Sequence, residues 1–291
     1  MLPQGSHHRV KDYLALTKPR VTWLIVMSAA IGYFFGHAGH WSFWPVVHAL
    51  IGTALIASGT AALNQWYERD ADRQMRRTQM RPLPSGRLNP NQAVWFGIVL
   101  SAAGGLELGF GTNWLASGLG IATLMMYLFL YTPLKQKSWW STTVGAFPGA
   151  MPPLIGYAAA ADKLTAEAWV LAAILFLWQF PHFYAIAWMY REDYSRAGIK
   201  MLPVVEPNGK STVRQILLYS VLLIPISLLP KWIGMTGSLY MAGALVLGLV
   251  YLYSGIRVAF DRTKARARKV LLASVVYLPL LYGLMLLDPR L

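Results

Sequence analysis

Apolar runs close to 20 residues long recur about every 25 to 35 residues along this chain, and no other feature constrains its fold as much. A helix needs ~20 apolar residues to cross the hydrocarbon core of a bilayer, where every backbone polar group must find its partner within the protein. The chain therefore reads as an all-α membrane protein, one bundle of nine transmembrane helices. The segments are expected at roughly 20–38, 44–65, 92–111, 114–133, 140–160, 166–189, 213–231, 237–256 and 269–287.

Composition supports this. Hydrophobic residues make up 56% and charged residues 13% of the 291, and mean hydropathy is +0.42. A net charge of +14 would suggest nucleic acid for a soluble protein. Here the basic residues lie between apolar runs, so orientation in the membrane accounts for most of the excess and nucleic acid is not an expected partner. Cysteine is absent, which excludes disulfides, thiolate metal sites and a cysteine nucleophile. Met1 to Arg20 has basic residues but no short apolar core ending at a small-residue cleavage site, so it does not read as a cleavable signal peptide.

The loops set an orientation. The amino-terminal segment 1–19, the connections 66–91, 134–139, 190–212 and 257–268, and the helix ends beside them carry 23 of the 26 lysines and arginines. The opposite set carries only Lys163, Lys231 and Arg290. The positive-inside rule then puts the amino terminus in the cytoplasm and the carboxyl terminus outside. Trp41, Trp44, Trp114, Tyr131, Trp139, Trp140, Trp169, Trp232 and Tyr240 stand at segment ends and read as interfacial anchors.

The second apolar run empties into the most charged stretch of the chain. Asn64, Glu68 and Asp72 stand four apart, so on a continuing helix their oxygens share a face within roughly 80°. Such a stripe suits magnesium, which takes oxygen ligands from one or two carboxylates together with the phosphates of a substrate. Arg77 and Arg81, which follow, would face those phosphates. Two plainer readings compete: a solvated face with ordinary ion pairs, and arginines that only orient the helix. The second leaves Asn64, Glu68 and Asp72 unexplained, and polar groups at a membrane helix end tend to be functional.

The connection after the sixth run looks like a counterpart, with Asp193 121 residues beyond Asp72 and again followed by basic residues and a Pro/Gly turn. Trp178, His182 and Asp193 would share a helical face within about 60°. Pro181 weakens the ladder beside His182, which places that histidine either against a cavity or on a neighbouring helix. Lys135 and Lys137 read as topological charges or phosphate ligands. The fifth run holds Gly145, Pro148, Gly149, Pro152, Pro153 and Gly156, too many breakers for a straight helix. The basic run at 257–269 reads as orientation and contact with anionic lipid. Glu107 receives no role.

Asn64-x3-Glu68-x3-Asp72, Arg77-Thr-x-x-Arg81-Pro-Leu-Pro-Ser-Gly86-Arg87 and the second acidic connection resemble the intramembrane prenyltransferases of the UbiA superfamily. Leu16-Thr-Lys18-Pro-Arg20, Gly145-Ala-Phe-Pro148-Gly-Ala-Met-Pro152-Pro153, Pro181-His182-Phe and Asp193-Tyr194-x-x-Ala-Gly198-Ile-Lys200 are similar to its heme-farnesylating branch. The resemblance implies a single prenyltransferase domain over 1–291, with a central cavity under a cytoplasmic cap made by 66–91 and 190–212. It implies a multi-pass protein of the bacterial inner membrane that transfers farnesyl from farnesyl diphosphate to a vinyl group of heme B, water completing heme O. Asn64, Glu68, Asp72 and Asp193 are then the catalytic residues and magnesium ligands. Arg77, Arg81, Lys135, Arg191 and Lys200 bind diphosphate, and His182 and Trp178 face the heme. A heme A synthase or oxidase-assembly partner fits the same role. The superfamily's second motif is usually Asp-x3-Asp, whereas Tyr190 and Tyr194 surround Asp193 here, so the second metal position is open. The rivals are a prenyltransferase acting on an aromatic quinone precursor and a transporter for an anionic solute. The latter is disfavoured because the charges sit at one membrane face instead of the midplane.

Overall fold

The computed structural model describes residues 4–37, 39 and 42–290, and the anchor expected at Trp41 lies outside the described residues. The helices are α1 (Gln4–Leu16), α2 (Pro19–Gly36), α3 (Phe43–Tyr67), α4 (Arg69–Gln74), α5 (Pro90–Gly111), α6 (Trp114–Met125), α7 (Thr132–Leu134), α8 (Ser141–Ala161), α9 (Ala166–Met189), α10 (Arg191–Arg196), α11 (Leu202–Val205), α12 (Lys210–Trp232), α13 (Ser238–Phe260) and α14 (Lys264–Leu287). A π-helical segment, Met126–Tyr131, joins α6 to α7. Among the described residues eight helices are long and apolar enough to cross a membrane: α2, α3, α5, α6 through α7, α9, α12, α13 and α14.

The fifth expected span, α8, is not in that set, because serine, threonine, glycine and proline dilute it. Its position explains how it can be so polar. Two-thirds of it is buried, and it packs against α2, α3, α6 and α9, between the first half of the bundle and the second. A helix enclosed by protein need not be apolar towards lipid. Its breakers do not interrupt it: α8 is continuous through Pro148, Pro152 and Pro153, as α9 is through Pro181. What the small residues provide is close approach. A Cβ on Gly156 would collide with the carbonyl of Ala29, and one on Gly32 with that of Pro153, so α2 and α8 touch backbone to backbone.

Two further expectations are corrected. The stripe does not lie on one continuous helix: α3 ends at Tyr67, Glu68 leaves the helical region, and α4 resumes at Arg69. The i→i+4 ladder nevertheless survives, with Glu68 N–H donating to Asn64 O at 2.9 Å and Asp72 N–H to Glu68 O at 2.8 Å, so the three residues remain stacked. Likewise α9 ends at Met189, Tyr190 intervenes, and Asp193 belongs to α10, not to the helix of Trp178 and His182. The two connections thus share one plan: a long helix, a single non-helical residue, and a six-residue helix carrying the aspartate.

The connections also pack on each other. Ala71 and Met75 of the first meet Ala197 and Ile199 of the second in a small apolar cluster. The chain turns at Gly86 and Gly198, whose φ of 77° and 67° lie in the left-handed region that glycine enters without cost. On the other side α1 lies against the first connection, where Leu16 packs with Ala62, Leu83 and Leu88, and Arg87 pairs with Asp12 at 3.0 Å.

Candidate active site

The ends of α3, α7 and α10, the start of α2 and the loop after α4 converge where the two connections meet. Asp72 is buried. Arg81 Nη1 donates to its Oδ2 at 2.7 Å, while its Oδ1 is enclosed with no hydrogen-bond partner among the described residues. Glu68 Oε1 accepts from Lys135 Nζ at 2.7 Å, with both side chains largely covered. Asn64 Oδ1 accepts from Lys18 Nζ at 3.1 Å, and its amide donates to Thr132 Oγ1 at 3.3 Å. Asp193 accepts the backbone N–H of Arg77 at 3.3 Å and pairs with Arg196. Arg77 lies over the rings of Tyr190 and Tyr194, 5.0 and 5.9 Å from their centroids. Tyr190 and Tyr194 therefore hold a cation at the site.

The local folding that makes this possible begins with the π segment. Its wide turns advance the register by an extra residue, so Thr132 N–H donates five residues back to Tyr127 O. Thr132 thereby meets Asn64, and Lys135 meets Glu68 above the Tyr131 ring, 4.3 Å from its centroid. Lys200 comes to the same place through its backbone, donating N–H to Lys135 O at 2.8 Å, with its side chain exposed.

Electrostatics follow from the crowding. Burial works against the charge of Lys135, but Glu68, then Tyr131 and Tyr127, outweigh it and hold the ammonium well above the ordinary lysine range. Burial likewise opposes the charge on Glu68, yet Lys135 and then Lys18 and Arg81 keep its carboxyl below its ordinary value. Lys18 goes the other way: burial, with the charges of Arg81 and Lys135 beside it, pushes it down to about 7, against the pull of Glu68 and Asp72. Its backbone, at φ 47° and ψ 61°, is left-handed, a conformation that costs a residue with a Cβ roughly 1–2 kcal/mol. Site packing supports that strain.

Lys18, Thr132 and Tyr131 were not read as site residues. Lys18 belongs to the Leu16–Arg20 motif but carries no role there, and the π segment is written in apolar residues that look like any other turn of the span.

Not every expected residue gathers here. Arg191 lies over the Trp188 ring at 4.3 Å, and Trp188 in turn donates to Arg262 O, so the recorded contacts of Arg191 lead towards the loop between α13 and α14. Trp178 and His182 form a separate pair inside the bundle. Their rings stack 5.0 Å apart, Trp178 Nε1 donates to Ser274 O at 2.9 Å, and His182 Nδ1 lies 2.7 Å from Ser274 Oγ. The histidine thus has a partner on α14, and neither residue is recorded in contact with Asp193.

No three histidine or acidic side chains among the described residues converge closely enough to form a metal cage by themselves. The donors nonetheless fit a hard cation shared with a phosphate-bearing substrate. They are oxygens only, and Asp72 Oδ1 is a buried carboxylate oxygen without a hydrogen bond.

Residues 25–278 match the UbiA prenyltransferase family. The chain is 63% identical over 288 residues to a protoheme IX farnesyltransferase of Solibacter usitatus, covering 96% of this chain and 99% of that one. It is 47% identical over 294 residues to the enzyme of the same name from Koribacter versatilis, covering 98% and 95%. In fold it is similar to a digeranylgeranylglyceryl phosphate synthase, with a TM-score of 0.79 at 18% identity over 96% of this chain and 98% of that one. It is also similar to a UbiA homolog from Archaeoglobus fulgidus bound to GPP and Mg2+, with a TM-score of 0.71 at 17% identity over 94% and 99%. The carboxylate and cation cluster, its placement at the ends of apolar helices and these likenesses agree: the chain belongs to the UbiA prenyltransferase family and, within it, to the protoheme IX farnesyltransferases.

Proposed function

We propose that this chain transfers the farnesyl group of farnesyl diphosphate to a vinyl group of heme B, giving heme O, with the cluster around Asp72 as the diphosphate site. The observation that carries the reading is the bare, buried Oδ1 of Asp72, whose other oxygen Arg81 holds and whose charge Lys18 feels. A buried carboxylate oxygen without a partner is costly unless something occupies it in the working state.

Asp72, Glu68, Asn64 and Asp193 would hold magnesium, which neutralises charge on the departing diphosphate. Arg81, Arg77, Lys135 and Lys18 surround the place where that charge develops, and Lys200 extends the set. Arg81 and Lys135 are paired with Asp72 and Glu68, so there diphosphate exchanges one set of ionic partners for another instead of meeting bare charge. The bond from farnesyl C1 to oxygen breaks with its electron pair leaving on diphosphate. The vinyl terminal carbon supplies the pair for the new bond to C1. The resulting cation beside the porphyrin takes up water and loses a proton to become the hydroxyl. The apolar bundle keeps other water from the farnesyl cation, while His182 and Trp178 serve the heme side.

The wider assignment follows. α8 is the ninth span of a single domain, and the two connections with α1 form the cap. With the basic loops inside, that cap and the amino terminus face the cytoplasm of a bacterial inner membrane, the carboxyl terminus lies outside, and a heme A synthase or oxidase-assembly protein takes the product. The test is expression in membranes that lack heme O, followed by mass spectrometry of extracted hemes. A gain of one farnesyl group plus water is the expected result. A prenylated quinone precursor with unchanged heme would overturn the choice of acceptor.

A further inference from the structure

The basic run between α13 and α14 builds a defined groove distant in sequence from the acidic connections. Tyr253, Ser254 and Arg257 of α13 and Arg266, Lys269 and Ala273 of α14 line about 310 Å³ of open space, with Val250 at its apolar end. On α13 the lining positions are spaced three, four and seven apart from Val250, and on α14 three and seven apart from Arg266, so each helix offers one continuous face.

The chemistry along the groove is graded, and the gradient is the same on both helices. α13 ends at Phe260 and α14 starts at Lys264, so Arg257 and Arg266 lie near the connecting loop while Val250 and Ala273 lie seven residues, roughly 10 Å, further into the spans. Cations therefore stand at the water boundary, the Tyr253 and Ser254 hydroxyls next, and alkyl groups below. Charge in the groove is unbalanced. Three cations share one recorded carboxylate, Asp261, whose Oδ2 lies 3.6 Å from Arg266 Nε, and Arg257 donates only weakly to the Tyr253 hydroxyl at 3.4 Å.

We propose that this groove is a binding site for an anionic glycerophospholipid, its phosphate held by Arg257, Arg266 and Lys269 and one acyl chain lying along Val250 and Ala273. Basic pockets between membrane helices at the headgroup level suit such lipids. A free phosphate would use the cations but leave the apolar lower half of the groove unfilled. Lys264 supplies a control of equal charge in the same stretch, because its ammonium is engaged by both carboxylate oxygens of Glu192 at 2.9 Å, outside the groove.

The full-length protein, purified in detergent and offered phosphatidylglycerol or phosphatidylcholine, is examined by native mass spectrometry for retained lipid. Phosphatidylglycerol should be retained in preference. Arg257→Gln with Lys269→Gln should weaken retention roughly tenfold, and Lys264→Gln should leave it unchanged. Ala273→Leu, which narrows the apolar end without altering charge, should lower it as well, and a melting curve for each variant confirms that it is folded. Equal retention of both lipids, or equal losses in Lys264→Gln and the double variant, would overturn the site. Displacement of the lipid by millimolar inorganic phosphate, with no effect of Ala273→Leu, would show a simple anion site and overturn the lipid assignment.

Discussion

Arg81 Nη1 lies 2.7 Å from one carboxylate oxygen of Asp72, and the other oxygen of that carboxylate is buried without a hydrogen-bond partner. The arginine fixes the carboxylate and leaves one lone-pair face open. That asymmetry suits a residue that must accept a cation without reorganising, and the first prediction rests on it.

Asp72→Asn keeps the shape and loses the charge. Turnover should fall by roughly two to three orders of magnitude or more, the range seen when a fixed electrostatic contact to a transition state is lost. Membrane insertion and folding should persist, because the amide can still accept from Arg81. Removing magnesium from the native enzyme with a chelator should reproduce the loss, and added magnesium should reverse it. Near-normal turnover of Asp72→Asn at saturating magnesium would remove Asp72 from the metal site.

Glu68 and Lys135 are mutually dependent, since each is largely covered and each is the other's closest ionic partner at 2.7 Å. Removing one leaves the other charge enclosed and unpaired, which costs more than removing both. Glu68→Gln and Lys135→Met should each lower the melting temperature, and the double variant should melt above the value expected from adding the two losses. A coupling of roughly 1–3 kcal/mol is expected for neighbours of this kind. Strict additivity in thermal melts would mean the pair is solvated and the enclosure is wrong.

How much of this was legible in the sequence depends on what carried each feature. Eight of the expected spans were legible because length and apolarity are additive along the chain, and their ends moved by only a few residues. The stacking of Asn64, Glu68 and Asp72 was legible because the i→i+4 ladder survives the irregular residue at Glu68. The break itself was not, since Glu68 is an ordinary helix former and nothing in its neighbours along the chain marks an irregular residue. The prolines of α8 and α9 stand within continuous helices, a tolerance that residue type alone does not announce. Lys18 and Thr132 were invisible as site residues because their roles depend on a left-handed backbone and a π turn, neither of which these residue types announce. Glu107 was left without a role and turns out to sit 2.7 Å from His48 Nδ1, joining α3 to α5. Such pairs between segments 59 residues apart leave no local pattern to read.

Arg77 should matter through substrate affinity. Its guanidinium rests over Tyr190 and Tyr194, and its backbone N–H holds Asp193, so the side chain is positioned yet exposed for a phosphate to reach. Arg77→Ala should raise the KM for farnesyl diphosphate roughly tenfold or more, in line with a lost charge-assisted hydrogen bond. Arg268→Ala, on α14 outside the cluster, should change it little. Equal effects at the two positions, measured with the same detergent-purified protein, would mean that Arg77 acts only through net charge.

His182 carries the last prediction, which rests on its contact with Ser274. With Ser274 Oγ donating to Leu271 O at 2.6 Å, the same oxygen is free to accept from His182 Nδ1–H at 2.7 Å. In that tautomer the neutral ring carries its proton on Nδ1, and Nε2 keeps a lone pair. A lone pair can ligate heme iron, whereas a propionate carboxylate would require a proton on that nitrogen. Stacking on Trp178, itself tied to Ser274 O, fixes the ring plane. His182→Ala should therefore leave a folded protein with farnesyl diphosphate binding retained, a weaker heme complex and a shifted heme absorbance band. Ser274→Ala should give a smaller change in the same direction, because it frees the ring to turn without removing the ligand. Heme titration by absorbance, run beside a melting curve, tests both. A large drop in melting temperature with unchanged heme affinity and spectrum would make His182 a packing residue of α9 against α14, and Ser274→Ala would then destabilise without touching heme at all.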